Sequence, residues 1–246
     1  MNAETVLRQE LLAAYHILDL HGQNAGIAGH LTARLPGGDS FWCHGYGQGF
    51  EEVRAADLHH ADMDLRVLAG PGRINPSLVI HAGLYRARAD IACVIHTHSL
   101  NAVMLSATGE PLRPLFQSAL MFHEDCALHA EYGGIVDTVE TGVELAAALG
   151  SRRALLLANH GTLVVGRSIR EAVHCAIMLD DACRIQLGAM AASGGRALLE
   201  VDATAAAEAK RFLLSDKVLE LRWSHYLRRA IAARPWLATE IGSLTE

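Results

Sequence analysis

The chain has 246 residues, 51% of them hydrophobic, and a formal net charge of −6 from 27 acidic against 21 basic residues. That length and apolar content suffice for the core of one large domain, and the acidic balance leaves no basic stripe to track phosphates, which argues against a nucleic-acid or anionic-membrane partner. No apolar stretch reaches the ~18 residues that span a bilayer, and MNAETVLRQELLAAYHILDL lacks a basic segment followed by an apolar block, so we expect a cytoplasmic protein with residues 1–246 in a single domain.

Cys43, Cys93, Cys126, Cys175 and Cys183 are odd in number and scattered without a CxxC pair, so neither a disulfide framework nor a thiolate zinc cluster is indicated. Histidine is abundant, with 14 residues, while the lysines are only Lys210 and Lys217, both late in the chain. A Schiff-base mechanism has no well-placed amine, and attention turns to metal chemistry.

In chain order, residues 5–20 place Val6, Leu11, Tyr15 and Leu18 at helical spacing, ending at His21-Gly22. A glycine-bearing loop at 24–30 opens into a strand at 31–34, a turn at 36–39 and a second strand at 40–44, a hairpin with His30 and His44 near its ends. Gly45-Tyr-Gly-Gln-Gly49 resembles a dinucleotide fingerprint only faintly, lacking the third glycine at its spacing and a following helix. A strand is expected at 63–68 and a turn at 69–73. Asn75 reads as an N-cap and Pro76 as the first residue of a helix to about 88, with Ser77 and His81 on one face. Residues 118–125 are an apolar run ending in His123 and Glu124, either a solvated loop end or a support for a nearby site. Helices are further expected at 100–107, 140–149 and 169–192, and a C-terminal helical segment at about 203–233 carries Trp223 and Tyr226. Interspersed strands and flanking helices indicate an α/β layered fold with a mixed sheet.

Residues 91–95 form an apolar strand pattern that runs directly into His96-Thr97-His98. Side chains at i and i+2 leave a strand on the same side, so the two imidazoles can converge on one ion, or simply hydrogen-bond to each other. A third histidine, His160, follows a second buried-strand pattern at 154–158, in Asn159-His160-Gly161. Three neutral imidazoles with an open position describe a catalytic divalent site better than a closed structural one, and such ligands accept Zn²⁺, Mn²⁺ or Fe²⁺.

The motifs INPSLVIHAGLYRARADIACVIHTHS and ALLLANHGTLVVG, in this order, with the later SIREAVHCAIMLDDACRIQL, resemble the class II aldolase and adducin head family. The resemblance implies a three-layer α/β/α sandwich with a central mixed, largely antiparallel sheet, usually assembled as a homotetramer with active sites between subunits. It also implies that His96, His98 and His160 bind the metal. Sugar-phosphate aldolases of the family carry a catalytic glutamate where this chain has Ser77, and phosphate-binding serines where it has Asn75 and Pro76. Their phosphate-binding glycine-asparagine pair appears as Gly29-His30. Serine is no carboxylate base, and proline offers no N–H to a phosphate. Family members that also lack this glutamate are metal-dependent decarboxylases of hydroxylated aromatic or pyridine carboxylates. The expectation is therefore a metal-dependent decarboxylase of a small hydroxylated aromatic or heteroaromatic carboxylic acid. His81 would be its proton donor, with Ser77 against the substrate and His30, His44 and Asn75 as further contacts. An aldolase for an unphosphorylated substrate, an iron oxygenase and a non-enzymatic adducin-like head are the alternatives.

Overall fold

The structure, a computed structural model, describes residues 2–23, 26–35, 37–134 and 138–245, with Ser243 and Thr245 as backbone only. The start of the expected 24–30 loop and Pro36 of the expected hairpin turn lie outside the described residues. The strands are β1 (His30–Ala33), β2 (Ser40–Cys43), β3 (His59–Asp62), β4 (Val67–Ala69), β5 (Cys93–Thr97), β6 (Cys126–His129), β7 (Ala154–Leu157) and β8 (Gly161–Gly166). They form one sheet in the order β4-β3-β2-β1-β5-β8-β7-β6. The pairings are antiparallel except β6 with β7.

Alternation along the strands sends side chains to two helical layers. Phe41, Cys43, Val94, Leu155, Leu163 and Val165 meet α2 (Val79–Ala87) and α4 (Val139–Leu149) on one face. Leu31, Trp42, Cys93, Ile95, Leu156 and Val164 face the other layer, built mainly from α1 (Ala3–Leu20), α3 (Leu100–Ser106) and α5 (Ile169–Ser193). The C-terminal helices α6 (Ala203–Leu213), α7 (Asp216–Ala233) and α8 (Leu237–Ile241) complete this layer. The result is the expected three-layer α/β/α sandwich with a mixed, mostly antiparallel sheet. No described helix is long and apolar enough to cross a membrane.

Local chemistry sets the helix ends. Side-chain oxygens of Asn2, Thr138, Ser168 and Asp202 accept from backbone N–H groups at the starts of α1, α4, α5 and α6, and Gly194, at φ 59°, terminates α5 in the left-handed conformation. α2 and α4 cross closely because Gly83 and Gly142 face each other, and a Cβ at Gly83 would sit 2.8 Å from the Gly142 carbonyl oxygen. Four cysteines are buried and Cys126 is half-buried, all as free thiols.

The structure adjusts the detail of three expectations. Of the expected strand at 63–68, residues 63–66 are a tight turn with Leu65 at φ 62°, and only Val67 and Leu68 are strand, as the start of β4 paired with β3. The 203–233 segment is helical as expected, in two helices that part where the Leu214 N–H bonds back to Lys210 and Ser215 opens α7. The helix capped by Asn75 begins as a 3-10 turn, Pro76–Leu78, before α2 proper. This last difference reorients Ser77 relative to His81.

Candidate metal centre and pocket

β5 lies between β1 and β8 at the centre of the sheet, and its end carries His96 into His98. β7 and β8 form a tight hairpin whose tip is Asn159-His160-Gly161, so pairing of β8 with β5 delivers His160 to the same place. Asn159 sits at φ 57°, a conformation asparagine tolerates better than most residues. Gly161 permits the approach, since a Cβ there would collide with the Thr97 carbonyl oxygen and lie 2.8 Å from His98 Cδ2.

The three ring centroids are mutually 4.9 Å apart. Their ligand nitrogens lie within 4.8 Å of one another. His96 Nδ1 is 2.9 Å from the Thr162 carbonyl oxygen, which only accepts, so Nδ1 carries the proton and Nε2 offers a lone pair. That lone pair points to His98 Nε2 at 3.0 Å. Burial, first, and the neighbouring imidazoles, second, hold His96 well below the usual histidine range, and burial lowers His98 and His160 as well. Neutral imidazole is the ligating form, and a backbone carbonyl setting the tautomer of one ligand is the usual support for a metal-bound histidine. The donor set therefore fits a divalent cation.

The cluster opens into a pocket of about 540 Å³. A larger cleft of about 670 Å³ between α2 and α4 is lined by Val79, Val139, Val143 and arginine stems and lies apart from these histidines, so the chemistry belongs to the smaller one. Ser77, Asn75 and His30 line the pocket, and the Asn75 Oδ1 accepts from the Ser77 N–H at 2.9 Å, which ties the turn carrying Ser77.

The structure does not bring His81 to the pocket wall. It is fully buried, with Nε2 2.7 Å from His30 Nδ1 and Nδ1 2.8 Å from Thr32 Oγ1. The 3-10 turn rotates Ser77 and Ile80 to the pocket and His81 towards β1. Burial, more than any neighbour, holds His81 and His30 well below the usual histidine range, so both are neutral near pH 7. His44 also stands back from the wall. Its Nδ1 meets the Tyr15 hydroxyl at 3.2 Å, its ring packs on Tyr15 and Phe50, and burial pushes it down to about 4. His123 and Glu124 precede β6, whose Cys126 pairs with Ala154 at the start of β7, the end of the sheet away from His160. Trp223 and Tyr226 are buried within the core, with Tyr226 bonded to His174 at 3.0 Å.

Two pocket residues escaped the sequence reading. Tyr46 and Tyr132 are 57% and 62% exposed and line the pocket, with the Tyr132 ring 6.4 Å from that of His160. Their signal was an exposed aromatic in a glycine-rich loop, Gly45-Tyr46-Gly47 and Tyr132-Gly133-Gly134.

Residues 9–187 match the Class II Aldolase and Adducin N-terminal domain family, and the chain belongs to it. Within it, the metal-binding type of triad supports an enzymatic, metal-dependent function. The chain is 34% identical to Decarboxylase NovR of Streptomyces niveus over 93% of its own length and 84% of that protein's. It is also 34% identical to the 4-hydroxy-3-prenylphenylpyruvate oxygenase/4-hydroxy-3-prenylbenzoate synthase of Streptomyces roseochromogenus, over 74% of this chain and 67% of the other. Among solved structures, L-fuculose 1-phosphate aldolase from Glaciozyma antarctica superposes with TM-score 0.84 at 30% identity, covering 95% of this chain and 92% of the other.

Proposed function

We propose that this protein is a divalent-metal-dependent decarboxylase of a small hydroxylated aromatic or heteroaromatic carboxylic acid. One observation carries the reading: the three-imidazole cluster opens on a pocket with no Asp or Glu among its described lining residues. Aldol chemistry requires a base that moves a proton to or from carbon, and the Ser77 hydroxyl is not one near neutral pH. Decarboxylation removes no proton from carbon. The bond to the carboxylate carbon breaks, its electron pair stays on the ring, and one proton is taken up there as CO₂ leaves.

Bound at His96, His98 and His160, a Zn²⁺, Mn²⁺ or Fe²⁺ ion supplies Lewis acidity towards the acid's oxygens. Ser77 and His30 hydrogen-bond those oxygens from the wall, and Asn75 holds Ser77 in place through its backbone N–H. Tyr46, Tyr132 and Ile80 supply the faces against which one planar ring stacks. His81 acts through His30 and not on the substrate, and the proton taken up by the ring comes from solvent entering the open pocket. The resemblance to a relative named as a decarboxylase supports the reading; the likeness to an L-fuculose 1-phosphate aldolase favours aldol cleavage of an unphosphorylated substrate as the second.

The test is CO₂ release with product identification from a panel of hydroxylated aromatic and pyridine carboxylates, on protein loaded separately with Mn²⁺, Zn²⁺ and Fe²⁺. Release that disappears in His96→Ala is expected. Paired carbonyl products, or oxygen uptake with Fe²⁺ in place of simple CO₂ loss, would overturn the reading.

A further inference from the structure

Behind the pocket wall, four side chains hold one another in a line. His30 Nδ1 is 2.7 Å from His81 Nε2, His81 Nδ1 is 2.8 Å from Thr32 Oγ1, and Thr32 Oγ1 is 2.8 Å from the Tyr85 hydroxyl. Two periodicities produce the line: His30 and Thr32 are two apart on β1 and point to one face, while His81 and Tyr85 are four apart on α2 and lie one turn from each other. All four are buried, Thr32 and His81 completely.

The line has a direction, which follows from counting hydrogens. Tyr85 is its closed end, and Thr32 is the hydrogen-bond partner of its hydroxyl among the described residues. The Arg34 guanidinium, 4.6 Å over the ring, has no lone pair to accept. A buried phenol O–H turned away from Thr32 would forfeit its acceptor, at a cost of about 1–3 kcal/mol. Tyr85 therefore donates to Thr32. The hydroxyl of Thr32 has one hydrogen, which would be left without a side-chain acceptor if Thr32 also accepted from His81, so it donates to His81 Nδ1. His81 then carries its proton on Nε2 and donates to His30 Nδ1. What remains for His30 is a proton on Nε2.

We propose that Tyr85, Thr32 and His81 hold His30 as its Nε2–H tautomer, which makes His30 a hydrogen-bond donor to an anionic oxygen of the bound ligand and denies it to the metal as a fourth ligand. The second consequence matters because His30 is an imidazole next to the cluster: it pairs with His96 across β1 and β5 and stacks on it at 4.6 Å. A protonated nitrogen has no lone pair for a cation, so the centre keeps three imidazoles and an open position. Tyr85 and Thr32 are positioning residues, acting through two histidines on a pocket they do not touch. The donor role rests on the ligand being an acid, as in the decarboxylase reading; the tautomer does not.

The decisive measurement is the tautomer of His30 in Zn²⁺-loaded protein labelled with ¹⁵N-histidine, read from long-range ¹H–¹⁵N correlations and assigned by the signals lost in His30→Gln. A protonated Nε2 with an unprotonated Nδ1 is expected; a proton on Nδ1 alone, or on both nitrogens, overturns the proposal. Tyr85→Phe and Thr32→Val should each convert this single tautomer to a mixture, with zinc content unchanged. An unaltered tautomer in both would remove their positioning role. On an acid substrate Tyr85→Phe should lower kcat/KM about ten-fold, on the scale of one weakened hydrogen bond to an anion. If a variant does not fold, the wild-type spectrum still decides the tautomer. The two readings also fail separately. An inactive protein with His30 protonated on Nε2 ends the decarboxylase reading alone, and an active one with His30 protonated on Nδ1 ends this proposal alone.

Discussion

Gly161 lies against His98: a Cβ added to the glycine would sit 2.8 Å from the imidazole Cδ2 and would strike the Thr97 carbonyl oxygen. The hairpin tip that carries His160 can therefore approach the end of β5 only with hydrogen at this position. Gly161→Ala is expected to push His160 and His98 apart and to weaken divalent-metal binding about 10–100-fold, the range for disturbing the support of a metal ligand. Titration with Zn²⁺ against a competing chelator measures it, and unchanged affinity would contradict the placement.

Metal removal should change stability as well as activity. A cation that binds the folded chain and not the unfolded one raises the melting temperature, by a stabilisation that grows with the logarithm of the free ion concentration over its Kd. Zn²⁺ or Mn²⁺ is expected to raise the Tm of the wild type and to leave that of His96→Ala or His160→Ala unmoved. Equal shifts in both variants would place binding elsewhere.

His174 is buried beside the Tyr226 hydroxyl at 3.0 Å, and burial, with a smaller contribution from Arg222, pushes it down to about 4. Its folded value lies below the ordinary 6.5, so between about 4 and 6.5 the unfolded chain binds the proton and the folded chain does not. Stability present above 6.5 is lost as the pH falls through that window, by about 1.4 kcal/mol per pH unit at most for one group. His174→Gln should flatten the fall in Tm between pH 6.5 and 4.5 relative to wild type. Parallel curves would rule out His174 as a contributor.

Gly83 and Gly142 let α2 and α4 touch backbone to backbone, with a Cβ at Gly142 placed 2.8 Å from the Val79 carbonyl oxygen. Neither atom met is a flexible side-chain end, so the helices must part. Gly142→Ala is expected to destabilise the fold by about 1–3 kcal/mol, as overpacking does, and urea denaturation would register it. Because α2 follows the turn bearing Ser77, metal affinity should be less affected than stability.

Much of the site was legible in the order of residues. The period of two along β5 put His96 and His98 on one side, the Asn75-Pro76 pair marked a helix start, and Asn159-His160-Gly161 marked a strand end. These are local properties, set by backbone geometry within a few residues. The choice between Ser77 and His81 as the pocket residue was not legible. It turned on a 3-10 first turn, which advances side chains by 120° per residue where an α-helix advances 100°, and that difference depends on how α2 packs against the sheet.

What tertiary structure alone decided is which distant residues meet. His30 and His81 are separated by 51 positions, His96 and Thr162 by 66, and Gly83 faces Gly142, a glycine on another helix. Strand register, shared burial and a backbone approach that only glycine permits bring these pairs together. Each is a property of two surfaces in contact. Sequence determined the chemical type of every group at the centre; packing determined which of them share one pocket, and which stand behind its wall.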